Sequence, residues 1–376
     1  MNSVKILHCA DIHIGAAESS LGTLADSRRA ETLITFEKII SLAKENAVDI
    51  LLIAGDLFNS NNIEKSFTDR VFECFSSVPN TKVVFAAGNH DPLNADSPFK
   101  KHALPQNVFV LDTKDCFVEF ADLNTRVYGK SFKEVYMKGT DRFSLSTEDS
   151  FINLMCIHGE LRSDLGSDYN SITSEFIKSS GMDYIALGHV HKRSEIGKIG
   201  NSYVSYCGCP EGQGFDELGE KGVYLGNVSK GICDLQFIST AKRMHIAENI
   251  DISGLASSNE IADKITAVIK EKYDNNFTDN LYKIILTGQI SDGTLLSLPE
   301  IVARLNDTFY FVKLRDKTEF KIDYEALSQE NTLKGIFVKN MLKRIENAQD
   351  DQKQQLKDAL NIGLKAFSGE VSYDEA

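Results

Sequence analysis

Several features that mark membrane, secreted and fibrous proteins are missing from this 376-residue sequence. No run of about 18 apolar residues occurs, so we expect no membrane-spanning helix. Residues 4–11 form only a short apolar run that ends in an acid, without the apolar core and cleavage site of a signal peptide. Only 6 prolines accompany 25 glycines and 42% apolar residues, and this ordinary usage excludes disorder and collagen-like repeats.

The cysteines are also not arranged as a motif, because none of them forms a C-x-x-C pair. Their number is odd and their positions are scattered, so we expect reduced thiols in a cytoplasmic protein. The seven positions are Cys9, Cys74, Cys116, Cys156, Cys207, Cys209 and Cys233.

Positive charge is scarce in this sequence. It has 41 Lys and Arg against 54 Asp and Glu, which gives a formal net charge of −13. A protein that binds a phosphate backbone tightly by itself normally has a basic surplus, since its affinity comes largely from counterion release. An anionic substrate would therefore need local positive charge, which bound metal cations can supply.

The first hundred residues have the alternating pattern of a parallel sheet covered by helices. Apolar runs at 4–9, 49–54 and 82–87 predict three buried strands. Two helical patterns lie between them, the first with Asp26 as its N-cap. Their apolar faces are Leu33, Phe36, Ile40, Ala43 and Ala47 in the first, and Ile63, Phe67, Val71, Phe75 and Val78 in the second.

Many strands and few helices are predicted further along the chain, which suggests two sheets packed together. The expected fold class is therefore mixed α/β and α+β with two packed sheets, and the family resemblance described below implies a two-sheet αββα sandwich over 1–240. A smaller α+β domain is expected over 245–325, and a pair of amphipathic helices over 331–367. The strands are expected at 107–111, 116–120, 125–129, 151–157, 183–187, 203–206, 221–228 and 232–238, with a helix near 171–180.

Side chains that can bind metal follow five of the predicted strands directly. Sites in open α/β folds form beyond the carboxyl ends of strands, so these loops can converge on one point. A single Asp-x-His triplet or Gly-Asp pair is more often a turn or a helix cap, but five in succession are hard to explain by chance. The clusters are Asp11-Ile12-His13, Gly55-Asp56, Gly88-Asn89-His90-Asp91, His158-Gly159-Glu160 and Gly188-His189-Val190-His191.

This pattern resembles the signature of the calcineurin-like metallophosphoesterase superfamily, and the resemblance covers about residues 1–240. It implies a sandwich that binds two divalent metal ions, with Mn²⁺ favoured, and hydrolyses phosphoesters with metal-activated water. Two cations about 3.5–4 Å apart need a shared anionic bridge, which Asp56 can supply. The implied ligands are Asp11, His13, Asp56 and His191 for one ion, and Asp56, Asn89, His158 and His189 for the other.

The resemblance also implies catalytic roles for two residues that are not ligands. His90 would stabilise charge on the phosphate or protonate the leaving oxygen. Asp91 would orient His90, although a turn-forming role before Pro92 is an equal alternative. Asn59 stands where several members of one branch of the superfamily, the SbcD-type DNA-repair nucleases, have a second histidine that assists departure of the leaving group, and Asn cannot donate a proton at neutral pH. For a nuclease of that type, the polarity and rate of exonuclease cleavage are therefore in question, whereas the metal site is not.

Details around the motifs resemble the SbcD-type DNA-repair nucleases, including the YhaO-like branch. The features are Gly55 to Phe58, Gly188 to Arg193, and Tyr206 to Glu211 with Cys207 and Cys209 in place of Pro and Ser. This resemblance implies DNA as substrate, a homodimer, a capping domain at 245–325 and a helical pair at 331–367 that docks on an SMC-like coiled-coil ATPase. The alternatives are a phosphodiesterase or phosphatase with a non-DNA substrate, and a non-catalytic DNA-repair scaffold.

Overall fold

The computed structural model describes residues 2–112, 117–139, 147–291, 296–320 and 323–367. Strands are numbered in chain order as β1 Ser3–Cys9, β2 Ile50–Ile53, β3 Lys82–Phe85, β4 Val108–Val110, β5 Phe117–Phe120, β6 Thr125–Lys130, β7 Ile152–His158, β8 Glu160–Arg162, β9 Ser171–Thr173, β10 Tyr184–Gly188, β11 Gly197–Ile199, β12 Ser202–Tyr206, β13 Gly222–Ser229, β14 Ile232–Ser239, β15 His245–Asp251, β16 Leu281–Thr287, β17 Gln289–Ile290, β18 Phe311–Asp316 and β19 Glu319–Phe320.

The helices are numbered in the same way. They are α1 Ala25–Glu45, α2 Lys65–Ser76, α3 Pro98–Lys101, α4 Ser174–Ser179, α5 Ser258–Tyr273, α6 Leu298–Asn306, α7 Tyr324–Ser328, α8 Leu333–Asn347 and α9 Asp350–Phe367. Short 3-10 turns lie at Ser19–Leu24, Ala121–Leu123 and Asp274–Asp279.

The first sheet has the strand order β14-β13-β1-β2-β3-β4. Strands β1 to β4 run parallel, and β13 pairs antiparallel with β1. The predicted β-α-β-α-β arrangement is therefore confirmed. All four residues of β2 are buried, as expected of a parallel strand that is covered on both faces.

The second sheet has the order β11-β12-β10-β7-β6-β5. Strands β6, β7, β10 and β12 run parallel, whereas β5 and β11 pair antiparallel at the edges. Smaller pairings form a three-stranded sheet β15-β16-β18 and the two-stranded pairs β17-β19 and β8-β9.

The two large sheets pack face to face through one apolar core. Val4, Ile6 and Leu52 of the first sheet share this core with Leu154 and Tyr184 of the second. The opposite face of the first sheet packs on helices, where Leu7 and Leu51 lie in one cluster with residues such as Phe36 and Phe75. On the second sheet the corresponding cluster contains Met155 and Ile177. The layers are therefore those of the expected αββα sandwich.

The chain forms two compact units. The first comprises Met1–Glu248, Thr266–Ile285 and Val302–Arg315, and the second comprises Asn249–Ile265, Leu286–Ile301 and Asp316–Ala376. Within the second unit, α8 and α9 bury Val338, Met341, Leu360 and Leu364 together with partly buried side chains of α7. The division into 1–240, 245–325 and 331–367 stays a prediction.

Two details of the first predicted helix are wrong. Asp26 lies in the first turn of α1 rather than at its N-cap, which is Leu24. The 3-10 turn that precedes α1 continues directly into it, so no side-chain cap forms there. Ala47 lies beyond the helix, which ends at Glu45, and adopts a left-handed φ of 48°. Among the described helices, none is long and apolar enough to cross a membrane.

Candidate metal centre

The carboxyl ends of five strands bring the predicted site residues together. β1, β2 and β3 of the first sheet lead into the loops of Asp11, Asp56 and Asn89, while β7 and β10 of the second sheet lead to His158 and His189. Because parallel strands of both sheets end at the same side of the sandwich, residues that are far apart in sequence become neighbours.

The backbone of these loops is strained at the residues that face the site. Left-handed φ angles occur at four non-glycine candidates: Asp11 (52°), His13 (49°), Asp56 (52°) and His189 (98°). Such conformations cost on the order of 1–3 kcal/mol each and persist where the surroundings enforce them. Gly55, at φ 89°, is required for space as well, since a Cβ there would lie 2.4 Å from Nδ1 of His158.

One group of ligand atoms lies around His13. Nε2 of His13 is 3.1 Å from Nε2 of His191 and 3.7 Å from Oδ2 of Asp56. Atoms of Asp11, His13 and His191 that can bind metal all lie within 4.8 Å of one another. Both carboxylate oxygens of Asp11 also accept a hydrogen bond from the backbone N–H of His189, at 3.0 Å each.

A second group of ligand atoms also adjoins the Asp56 carboxylate, and ligand atoms of Asp11, Asp56 and His158 lie within 4.8 Å of one another. Nε2 of His158 is 3.3 Å from Oδ2 of Asp56 and 3.0 Å from Oδ1 of Asn89. Nδ1 of His189 is 3.2 Å from the same oxygen of Asn89. Oδ2 of Asp56 therefore lies within 3.7 Å of Nε2 of both His13 and His158, so one carboxylate oxygen is near both groups of ligand atoms.

The protonation pattern of these side chains fits a bound cation. Nδ1 of His158 lies 2.9 Å from the carbonyl oxygen of Ala54, to which it donates its proton. The lone pair of Nε2 then faces the carboxylate of Asp56 and the amide oxygen of Asn89. Without a proton on Nε2 these three acceptors would repel one another, and a cation bound among them would remove that repulsion. This donor set of nitrogen and oxygen suits a divalent transition metal.

The pKa values of the same groups show that positive charge is favoured beside Asp56. Burial alone would raise the pKa of Asp56, but His158 and His13 outweigh burial and lower it. Burial would lower the pKa of His158, yet the Asp56 carboxylate raises it to about 9. At Asp11 burial dominates and raises the pKa to about 6. A metal cation would supply the charge that a proton on His158 otherwise provides.

Comparison with known proteins identifies the family. The model of the family described as "Calcineurin-like phosphoesterase" matches residues 4–193. The chain belongs to this family. All seven candidate metal ligands lie within the matched range. The family consists of phosphoester hydrolases that bind divalent metals.

Three curated relatives are similar to this phosphoesterase at modest identity. The uncharacterized metallophosphoesterase YhaO of Bacillus subtilis is 30% identical over 63% of this chain, and the match spans only 60% of YhaO. The DNA double-strand break repair protein Mre11 of Saccharolobus solfataricus is 21% identical over 98% of this chain and 97% of its own length. The SbcD component of the nuclease SbcCD from Escherichia coli K12 is 25% identical over 61% of this chain and 66% of that protein.

His90 and Asp91 of this phosphoesterase make different contacts. Among the described hydrogen bonds, Nδ1 of His90 is 3.1 Å from the carbonyl oxygen of Asn59, and no bond joins the ring to Asp91. The carboxylate of Asp91 is buried and accepts backbone N–H groups of Asp56, Leu57, Phe58 and Gly88 at 2.8–3.2 Å. Asp91 therefore joins the loops that follow β2 and β3, which favours a structural role of the kind given as the turn-forming alternative, and its role in orienting His90 stays a prediction.

Glu217 is a site residue that no sequence motif indicates. Its Oε1 is hydrogen-bonded to Nδ1 of His191, and its Oε2 accepts the backbone N–H of Gln213 at 2.8 Å and the thiol of Cys209 at 3.4 Å. Burial would raise the pKa of Glu217, but His191 lowers it to about 2. Nothing in the sequence distinguishes Glu217 from the neighbouring acids. Cys209 and Cys207 are free and buried, as expected, whereas Cys116 lies outside the described residues.

The contact with His191 leads to a prediction for Glu217→Gln. The substitution removes the charge that fixes the tautomer of His191, so we expect about 10- to 100-fold weaker metal affinity. The measurement is phosphodiesterase activity as a function of Mn²⁺ concentration, with the exposed Glu220→Gln as the matched control. Identical Mn²⁺ dependence in Glu217→Gln and the wild type would show that Glu217 does not position His191.

Proposed function

We propose that this phosphoesterase is the Mn²⁺-dependent nuclease subunit of an SbcCD-like DNA-repair complex, with both exonuclease and endonuclease activity on phosphodiester bonds. The observation that carries the proposal is the position of the Asp56 carboxylate, whose Oδ2 lies 3.7 Å from Nε2 of His13 and 3.3 Å from Nε2 of His158. The names of two relatives, a DNA double-strand break repair protein and a component of a nuclease, favour DNA over other phosphodiesters.

The side chains divide into two proposed metal sites that share Asp56. Asp11, His13 and His191 complete one site, and Asn89, His158 and His189 complete the other. Two divalent ions bound there would polarise the phosphoryl group and activate water for attack. The protein's own contribution is to hold the ligand atoms in place, through Ala54 at His158 and Glu217 at His191.

His90 is the residue proposed to act on the phosphate. Its ring packs edge-on against that of His13, with ring centroids 4.6 Å apart, and is solvent-exposed. Because Nδ1 is held by the carbonyl of Asn59, Nε2 of a protonated ring can donate to a phosphate oxygen or to the leaving group. The backbone carbonyl of Asn59 thus helps to position the His90 ring. The side chain of Asn59 cannot act as the acid that a second histidine would provide.

The proposed partners are a second copy of the chain and an SMC-like coiled-coil ATPase. The helices α8 and α9 are the proposed docking site for the ATPase, and residues 245–325 the proposed capping domain. Leu333 is 74% exposed, and Ile336 and Ile362 also expose more than half of their side chains. A helix pair with an apolar exposed surface is suited to pack against a partner helix.

This docking proposal predicts the effect of placing charges on the helix pair. The triple variant Leu333→Glu, Ile336→Glu and Ile362→Glu should abolish co-purification with a co-expressed SMC-like ATPase and leave metal-dependent cleavage of short substrates near wild type. Substitution suits the test better than deletion of 331–376, because Tyr324 and Leu327 pack on these helices. Asn80→Glu, at an exposed position outside the helix pair, is the control, and retention of the ATPase by the triple variant would contradict the docking site.

The substrate class can be tested by comparing three substrates in Mn²⁺. We expect cleavage of supercoiled plasmid and slower turnover of bis-p-nitrophenyl phosphate, both inhibited by EDTA, with no release of phosphate from a phosphopeptide. Preference for the phosphopeptide would favour a phosphatase. Inactivity on every substrate, with metal bound, would favour a non-catalytic scaffold.

A further inference from the structure

Exposed aromatic and apolar side chains lie beside the candidate metal centre. They belong to two segments, 135–137 and 161–169, and comprise Val135, Tyr136, Leu161 and Leu165. The segments are joined by backbone hydrogen bonds from Met137 N–H to Asp168 O at 2.8 Å and from Asn170 N–H to Met137 O at 2.6 Å. We call these four side chains, together with Tyr169, the aromatic rim.

Two tyrosine rings of the aromatic rim lead outward from a candidate ligand. The ring of Tyr169 stacks on that of His189, with centroids 5.0 Å apart and planes 27° apart. The ring centroid of Tyr136 lies 5.8 Å from that of Tyr169, and the two ring planes are 49° apart. Tyr169 is partly buried, whereas Tyr136 is 64% exposed. Support of His189 is enough to explain Tyr169, but it does not explain why an aromatic side chain at Tyr136 faces solvent.

The two cations described in and next to the rim segments, Lys138 and Arg162, both lie close to carboxylates. Nζ of Lys138 lies 3.8 Å from Oδ1 of Asp168. Nη1 of Arg162 lies 3.3 Å from Oε2 of Glu160, and its Nε lies 2.9 Å from Oδ1 of Asp164. The net charge of the whole chain is also −13. Within the described part of the rim, a substrate strand that leaves the metal centre in this direction meets aromatic rings and cations that are already close to carboxylates. Stacking of unpaired bases on aromatic side chains contributes about 1–3 kcal/mol per base and needs no basic surplus.

We propose that Tyr136, with Tyr169 behind it, is a stacking platform for an unpaired nucleobase next to the phosphodiester held at the metal centre. The inference rests on the proposed nuclease function and specifies its substrate class. A base within a continuous duplex has both faces covered by its neighbours, so the platform selects single strands, hairpin tips and frayed ends. Tyr136 is thus a specificity-determining residue, and it leaves the metal ligands unchanged.

The test compares Tyr136→Ala, Tyr136→Phe and wild type on a labelled single-stranded oligonucleotide. We expect Tyr136→Ala to raise KM by roughly 5- to 150-fold, the equivalent of one lost stacking contact, with kcat and Mn²⁺ content unchanged. Tyr136→Phe keeps the ring and should behave as wild type. Ile34→Ala, which truncates another exposed apolar side chain, is the control for surface effects. Thermal unfolding of each variant verifies that it is folded.

A second oligonucleotide, with abasic residues on both sides of the cleaved bond, separates stacking from a structural effect. Wild type and Tyr136→Ala should cleave it with the same KM. If Tyr136→Ala raises KM equally on both oligonucleotides, or if Tyr136→Phe raises KM as much as Tyr136→Ala, the proposed stacking role of Tyr136 is wrong.

Binding measured by fluorescence anisotropy in EDTA distinguishes failure of this inference from failure of the proposed function. Equal Kd of wild type and Tyr136→Ala for the single strand would overturn the platform alone. Absence of DNA cleavage by the wild type with Mn²⁺ bound would contradict the nuclease function, whereas weaker binding by Tyr136→Ala would still support stacking.

Discussion

Asp56→Asn is expected to abolish phosphodiesterase activity, with a rate loss of at least about 10³-fold. Oδ2 of Asp56 lies 3.7 Å from Nε2 of His13 and 3.3 Å from Nε2 of His158, and Oδ1 accepts the backbone N–H of His90 at 2.8 Å. An amide keeps the size of the side chain but removes the negative charge that two adjacent cations need between them. Both metal content and rate should therefore fall together.

The control for this variant is Asp122→Asn, which neutralises an exposed aspartate whose ion-pair partner is Lys82, 3.6 Å away. Metal content measured by elemental analysis should be two ions per chain in the wild type and the control, and lower in Asp56→Asn. Wild-type cleavage by purified Asp56→Asn, or full metal content with normal rate, would show that Asp56 is not the shared ligand.

His90→Ala is expected to reduce the rate by roughly 10²- to 10⁴-fold while both metals remain bound. The ring contacts the carbonyl oxygen of Asn59 and the ring of His13. The substitution therefore removes a group that can stabilise charge and leaves the backbone of the loop in place. His102→Ala, at a partly exposed histidine outside the metal centre, is the matched control.

Metal content decides how a defect in His90→Ala is interpreted. A ligand atom of His90 also lies within 4.8 Å of those of His13 and Asp56. If the variant loses metal, His90 is a ligand and the role proposed for it is wrong. If it keeps both ions and the normal rate, His90 has no part in the reaction.

The sheets and the position of the site can be predicted because both depend on local patterns. The buried strands read as continuous apolar runs, and β2, with the sequence ILLI, is buried throughout. Ligand-type residues follow those runs directly, so parallel strand order alone brings them to one edge. Strand β15 is absent from the predicted strands, since its sequence HIAENID has polar residues in the middle and lacks a clear alternation.

Contacts between distant loops cannot be predicted from the sequence. Asp91 precedes a proline and has the sequence context of a turn, yet its four backbone contacts join two loops. Glu217 reaches His191 through a fold that brings together residues 26 positions apart. Such contacts depend on how the two sheets pack, which no spacing along one strand or helix encodes.

Residue spacing also predicts the buried face of the helix pair only in part. Four-residue spacing correctly predicts that Met341, Leu360 and Leu364 share a buried face. The same spacing places Leu333 on this face, but Leu333 is exposed, because it is the first residue of α8 and no turn precedes it. Val338 is buried instead, since a period of 3.6 residues moves the face relative to strict four-residue spacing.

Anomalous diffraction from crystals loaded with Mn²⁺ is the most direct test of a paired metal centre that shares Asp56. Data collected on both sides of the manganese absorption edge should give two peaks per chain. One should lie among Asp11, His13 and His191, the other among Asn89, His158 and His189, and both should adjoin Asp56. A single peak, or a peak only at the nearby group of His191, Cys209 and Glu217, would contradict the account.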